Sequence, residues 1–225
     1  LLLVLTSLLS IKTFKKVNPQ DIKIFGSKLF SDKDIIQNSS LNLPTSLIFI
    51  KTKYLEKELI KNLSLENVLV SRQIIPFGLK IDIKTRTPVA IGEKLSNGET
   101  ISGFIDKNGF FINKDYVAQG DLKKLDVEVF GWQDKFKETL SEILNFQKQQ
   151  QIKFSKITFS PSGFVTLEEK DLKTIFLGFN PKLITSQLHV ISTLKNELIN
   201  KKFLDKIDNV DLTDPNHPKI KVFKP

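Results

Sequence analysis

The chain has 225 residues, 40 % of them apolar and 26 % charged, with 34 Lys and Arg against 25 Asp and Glu for a formal charge of +9. That length and balance allow one large domain or two small ones and argue against a disordered chain. The absence of Cys excludes disulfides, thiol catalysis and cysteine metal sites, and the absence of Met makes the sequence read as part of a longer chain. The positive charge is mostly Lys, spread along the sequence with no basic run longer than two. Such dispersal, alongside abundant Ile, Asn and Phe, reads as codon bias of an AT-rich genome rather than as a clustered nucleic-acid footprint.

The first eleven residues carry no charge and include Leu1, Leu2, Leu3, Val4, Leu5, Leu8, Leu9 and Ile11. As a helix this stretch covers about 17 Å, against the roughly 30 Å of a bilayer core. It reads as the outer half of a transmembrane anchor. The core of a signal peptide and a buried helix are the alternatives; the missing A-x-A cleavage pattern disfavours the first of them. Lys12, Lys15 and Lys16 follow the apolar run, against the positive-inside tendency. The expected placement is single-pass in the inner membrane, with the bulk of the chain outside the cytoplasm.

Beyond the anchor the pattern reads strand, helix, helix, strand, strand. Asp21 to Phe25 forms the first strand. Ser31 with Asp34 forms a capping-box start for a short helix. Asn38 to Pro44 is a loop, and Leu55, Leu59 and Leu63 recur at fours on a helix from Tyr54. Val68 to Ile74 is a strand, Pro76 and Gly78 turn the chain, and Leu79, Ile81 and Ile83 alternate with Lys80, Asp82 and Lys84 in the next strand. From Ile91 onward strands dominate: a hairpin over Phe104 to Ile112 with Asn108-Gly109 at its tip, Val127 to Phe130, and a second hairpin around Pro161-Ser162-Gly163. Thr174 to Phe179, Asp208 to Leu212 and Ile220 to Phe223 complete the strands. A helix fills Asp134 to Gln150, and Pro181 opens a longer one with Ile184, Leu188, Ile191, Leu194 and Leu198 on one face. The predicted class is α+β: an anchor remnant at 1–16, a β-α-α-β-β domain at 17–90, and at 91–225 a mixed domain with an antiparallel-rich sheet and two helices.

A β-α-α-β-β unit directly after an anchor resembles a POTRA domain. Val70-Ser71-Arg72, the turn at Pro76, and Leu79-Lys80-Ile81-Asp82-Ile83 are similar to the FtsQ/DivIB pattern. Thr85-Arg86-Thr87-Pro88-Val89-Ala90 resembles that family's Glu-Arg-x-Pro-Val-Ala ending, with Thr85 in place of Glu. Ile105-Asp106-Lys107-Asn108-Gly109, Thr174 to Gly178 before Lys182-Leu183, and Val210-Asp211-Leu212 follow in the family's order. The family's usual Leu-Pro before the middle strand is replaced by Leu125-Asp126. The resemblance implies a bitopic, non-catalytic scaffold of the divisome at the septum. Its expected partners are division membrane proteins of the FtsB and FtsL type and other divisome components. No cofactor, nucleic acid or small-molecule substrate is implied. A POTRA-bearing component of outer-membrane assembly or secretion and a membrane-anchored enzyme are the competing readings.

Candidate chemistry is sparse. Asp106, Asn108 and Gly109 resemble part of a calcium loop without its remaining ligands, and turn chemistry accounts for them. His189 and His217 have no second ligand at metal spacing and no neighbouring nucleophile. No catalytic or metal residue is therefore assigned. Arg72 is read either as a POTRA contact or as a structural ion pair to Asp82 or Glu66. Trp132 is read as packed against a sheet, with a partner anchor as the alternative. The partner-binding assignment goes to the late strand: Ile207, Asp208, Val210, Asp211, Leu212 and Thr213. That segment is expected to form or adjoin an exposed sheet edge that a partner strand extends. The alternative is an interior strand paired on both sides. Thr213 stands where an Arg is common in the family, and Pro215 should end the strand.

Overall fold

The computed structural model describes residues 15–26, 29–96, 98–117, 122, 125–200 and 204–223. The chain divides into two compact units, one running to Arg86 and including Asp115, Tyr116 and Val117, the other taking the rest.

In the first unit, β1 (Lys16–Val17) pairs antiparallel with β3 (Thr45–Ser46). β2 (Ile22–Phe25) leads through α1 (Asp32–Gln37) and α2 (Thr52–Asn62) to β4 (Asn67–Gln73) and β5 (Gly78–Lys84). The main sheet has the order β2-β5-β4, parallel between β2 and β5 and antiparallel between β4 and β5. Ser31 caps α1 as its sequence suggests: its hydroxyl accepts from the Asp34 amide, and the Asp34 carboxylate accepts from the Ser31 amide at 2.8 Å. Leu55, Leu59 and Leu63 meet Val68, Val70, Leu79, Ile81 and Ile83 in one buried cluster. Each fully buried Leu or Ile of this kind contributes roughly 1.5–3 kcal/mol over its exposed state. The edge at β4 is covered locally. Buried Glu56 on α2 accepts the Val70 amide at 3.0 Å, and Lys53 donates to the same carboxylate at 2.8 Å. Burial pushes that carboxyl up, but these bonds outweigh it and hold it below its ordinary value.

The second unit is built on a nine-stranded sheet. Its strands are β6 (Pro88–Ser96), β7 (Glu99–Asp106), β8 (Phe111–Asn113), β9 (Glu128–Trp132), β10 (Phe154–Phe159), β11 (Val165–Glu169), β12 (Lys173–Gly178), β13 (Ile207–Asp211) and β14 (Lys219–Val222). They lie in the order β14-β13-β12-β11-β10-β9-β6-β7-β8. The neighbours β6/β9, β9/β10 and β12/β13 are parallel and the others antiparallel. Parallel neighbours need a crossover, and the two helices supply two of them: α3 (Lys137–Gln150) between β9 and β10, α4 (Ile184–Asn200) between β12 and β13. Leu140, Ile143 and Leu144 of α3 and Ile184, Leu188 and Ile191 of α4 pack on buried strand residues such as Ile157, Leu167, Ile175 and Val210. The Asn108-Gly109 turn forms as expected. Gly109 has φ +75°, and a Cβ there would strike the Lys137 carbonyl, so only glycine lets this turn lie against the start of α3.

One strand has no counterpart in the sequence reading, and one expectation needs correction. Pro88 to Ser96 forms one long strand, which the residue pattern did not announce because β6 is flanked on both sides and does not alternate cleanly. The expected single-pass placement in the inner membrane is not upheld: among the described residues no helix is long and apolar enough to cross a membrane. The anchor residues from Leu1 to Ile11, on which that expectation rested, lie outside the described residues.

Candidate functional site

The late strand and its neighbour make the candidate surface. β13 pairs with β12 through Thr174↔Asn209, Ile175↔Val210 and Phe176↔Asp211, and with β14 through Asn209↔Lys221, Val210↔Ile220 and Asp211↔Lys219. Its backbone is thus engaged on both sides, and the terminal strand of the sheet is β14. Ile207, Val210 and Leu212 are fully buried, so they fix the strand and offer no side chain to a partner. The Leu212 amide donates to the Phe176 carbonyl at 2.8 Å, continuing the pairing past β13. Gln187 on α4 then ties both strand ends down: its Nε2 donates to the Leu177 carbonyl at 2.6 Å and the Leu212 carbonyl at 2.8 Å.

Asp208, Asp211 and Thr213 face outward. Asp208 pairs with Lys221 at 3.1 Å, joining β13 to β14 by side chain as well as backbone. Asp211 accepts from the Thr213 amide at 2.9 Å and its hydroxyl at 2.7 Å; the backbone bond first and the hydroxyl second hold this carboxyl below its ordinary value. Asp214 repeats the device, accepting from His217 Nδ1 and the Asn216 amide, and its carboxyl is lowered by those two bonds in that order. Two Asx-type turns, the second of them containing Pro215, therefore reverse the chain into β14.

Along β14 the backbone alternates. The Phe223 amide, just beyond the strand, donates inward to the Lys206 carbonyl at 3.0 Å. By alternation Lys221 and Lys219 also point inward, which leaves the N–H and C=O groups of Ile220 and Val222 on the outer edge. Val222 is 40 % and Phe223 55 % exposed, so the outer end of this edge is apolar as well as open.

The other candidates fall elsewhere. Arg72 donates through Nη2 to the Ile50 carbonyl at 2.6 Å; the ion pair expected with Asp82 or Glu66 does not form, because Asp82 is paired with Lys80 and Glu66 with Lys84. Arg72 thereby pins the strand to the segment that leads into α2. Trp132 is buried and donates to the Gly109 carbonyl at 2.8 Å. Asp106 accepts from the Asn108 and Phe110 amides at 2.9 Å, which is turn chemistry. Among the described residues no group of three His, Asp or Glu is placed to hold a metal. Sequence reasoning missed Gln187, whose buried side chain no periodicity distinguishes from a solvated one. It also missed the triad in which Lys195 binds Glu169 at 2.5 Å and Asp171 at 2.8 Å.

The parallel β2/β5 pair, the two helices and the antiparallel β4/β5 hairpin define a POTRA-bearing α+β protein, a class of protein-interaction modules. Residues 17–86 match the family model of the POTRA domain, FtsQ-type. The chain thus carries an FtsQ-type POTRA domain and is FtsQ/DivIB-like over those residues. No curated protein matches the chain significantly.

Proposed function

We propose that the chain is a non-catalytic scaffold of bacterial cell division that holds protein partners of the FtsB and FtsL type. The FtsQ-type POTRA domain carries this reading. The mode of capture is strand addition to β14, with Ile207, Val210 and Leu212 holding the supporting strand and Asp208, Asp211 and Thr213 contributing side chains beside it. An edge with unpaired main-chain groups gives affinity without demanding one particular residue, and exposed Val222 and Phe223 add an apolar contact.

Val222→Pro tests the mode. Its N–H faces outward, so proline there removes a donor from the open edge without removing a bond to β13. Capture of FtsB- and FtsL-type partners should weaken by about tenfold, the loss of about 1.4 kcal/mol that one main-chain bond can supply. The unfolding midpoint should stay near that of the unsubstituted chain. Full capture by the folded variant would sink edge addition. Val210→Pro should unfold the domain instead, since that residue lies between two paired strands.

A further inference from the structure

A second surface of the larger unit has no part in this edge. Two cavities, about 940 Å³ and about 560 Å³, share Val89, Gln147 and Lys153 in their walls and run together as one trough. Together they exceed the roughly 300–1,000 Å³ of an ordinary small-molecule site. Five lysines rim the trough: Lys107 from the β7–β8 turn, Lys148 from the last turn of α3, Lys153 after it, Lys170 from the β11–β12 turn and Lys173 at the start of β12. All five are exposed, and none of their ammonium groups is in an ion pair among the described residues.

The acids in the same walls are mostly spent. Glu169 is buried, binds Lys195 at 2.5 Å and accepts the Asp171 and Leu172 amides. Glu168 pairs with Lys156 at 3.5 Å. Asp126 alone remains without an ion pair among the described residues. The trough is therefore net positive, while its walls also include apolar Val89, Val127, Phe154 and Leu144.

We propose that this trough is a docking groove for an extended, acidic segment of a partner protein, with carboxylates meeting the lysine rim. Charge complementarity favours an acidic occupant. Nucleic acid is disfavoured, because the one aromatic ring in the lining, Phe154, is only 1 % exposed and gives bases nothing to stack on. Asp126 and Glu168 also interrupt the basic rim, which a uniform polyanion meets unfavourably and a peptide of mixed composition does not. This surface goes beyond the scaffold reading, because the β14 edge contributes none of its residues.

The test uses the whole chain and fluorescence anisotropy with three labelled probes: an extended peptide alternating Glu with Leu, its Lys-for-Glu counterpart, and a single-stranded oligonucleotide of the same length. The acidic peptide should bind, and the double variant Lys153→Glu, Lys170→Glu should weaken it by about tenfold or more. The double variant Lys61→Glu, Lys182→Glu, with the same change in net charge, and Val222→Pro should leave it unchanged. Raising the salt from about 0.05 M to about 0.5 M should weaken it as well, since these lysines are solvent-exposed. The proposal is overturned by equal losses in the two lysine double variants, by no loss in either, by equal binding of the basic peptide, or by tighter binding of the oligonucleotide.

Discussion

At the end of β13 the Asp211 carboxylate turns back onto Thr213, taking both its amide and its hydroxyl. The folded chain holds this carboxyl below its ordinary 3.8 through those two bonds, the backbone one larger. A lowered folded value means that the interaction favours the folded state at any pH above 3.8 and is lost as pH falls through the folded value. Thr213→Val keeps the amide and removes the hydroxyl. NMR titration of Asp211 in that variant should move its midpoint up, toward 3.8 without reaching it, and the acid-unfolding arm should lose part of its slope. An unmoved midpoint would show that the hydroxyl bond contributes nothing. That this segment forms a strand was legible in the alternation around Val210, Asp211 and Leu212, although the sequence reading gave all three to partner contact and the fold buries Val210 and Leu212. That Gln187 would reach them was not, because the residues are 25 positions apart for Leu212 and 10 for Leu177.

Elements were read well where local chemistry is decisive. The Ser31–Asp34 box starts α1, the spacing of Leu55, Leu59 and Leu63 makes α2, and alternation makes β5. Elements were read poorly where apolar and polar residues do not alternate along the sequence, as in β6. β9 shows a further reason: Gly131 has φ +70°, and a Cβ there would strike the Phe159 carbonyl of β10. The strand can hold this backbone only with glycine. Gly131→Ala should cost about 2–4 kcal/mol, from unfavourable φ and from the approach of β10, and it should loosen the β9–β10 pairing first. Chemical denaturation gives the loss, and amide exchange at Ile157 and Val129 locates it. A loss under about 0.5 kcal/mol would mean that the strand relaxes freely around the added methyl.

For the molecule as a whole the decisive fact is that each unit has its own buried cluster. Leu79 is fully buried in the POTRA unit. Leu79→Ala should destabilise that unit by about 2–5 kcal/mol. Amide exchange should then speed up in β2, β4 and β5, while β10 to β12 keep their protection, because none of their core residues loses a contact. Equal loss of protection in β11 would mean that the two clusters unfold as one. The same separation bears on function, since a change in the POTRA core should leave edge capture at β14 intact.

By itself the sequence determined the class, the β-α-α-β-β order of the POTRA unit, the turns at Asn108-Gly109 and Pro161-Ser162-Gly163, and the helix faces, all of which depend on interactions within a few residues. The FtsQ-type match at 17–86 agrees with that reading. Tertiary structure alone decided which strand is terminal. β13 and β14 are both short strands, and nothing local states that β14 adds outside β13. Tertiary structure also decided that Lys107, Lys148, Lys153, Lys170 and Lys173 rim one trough. Strand order and surface charge patterns arise from pairings between residues far apart in the chain, where periodicity carries no information.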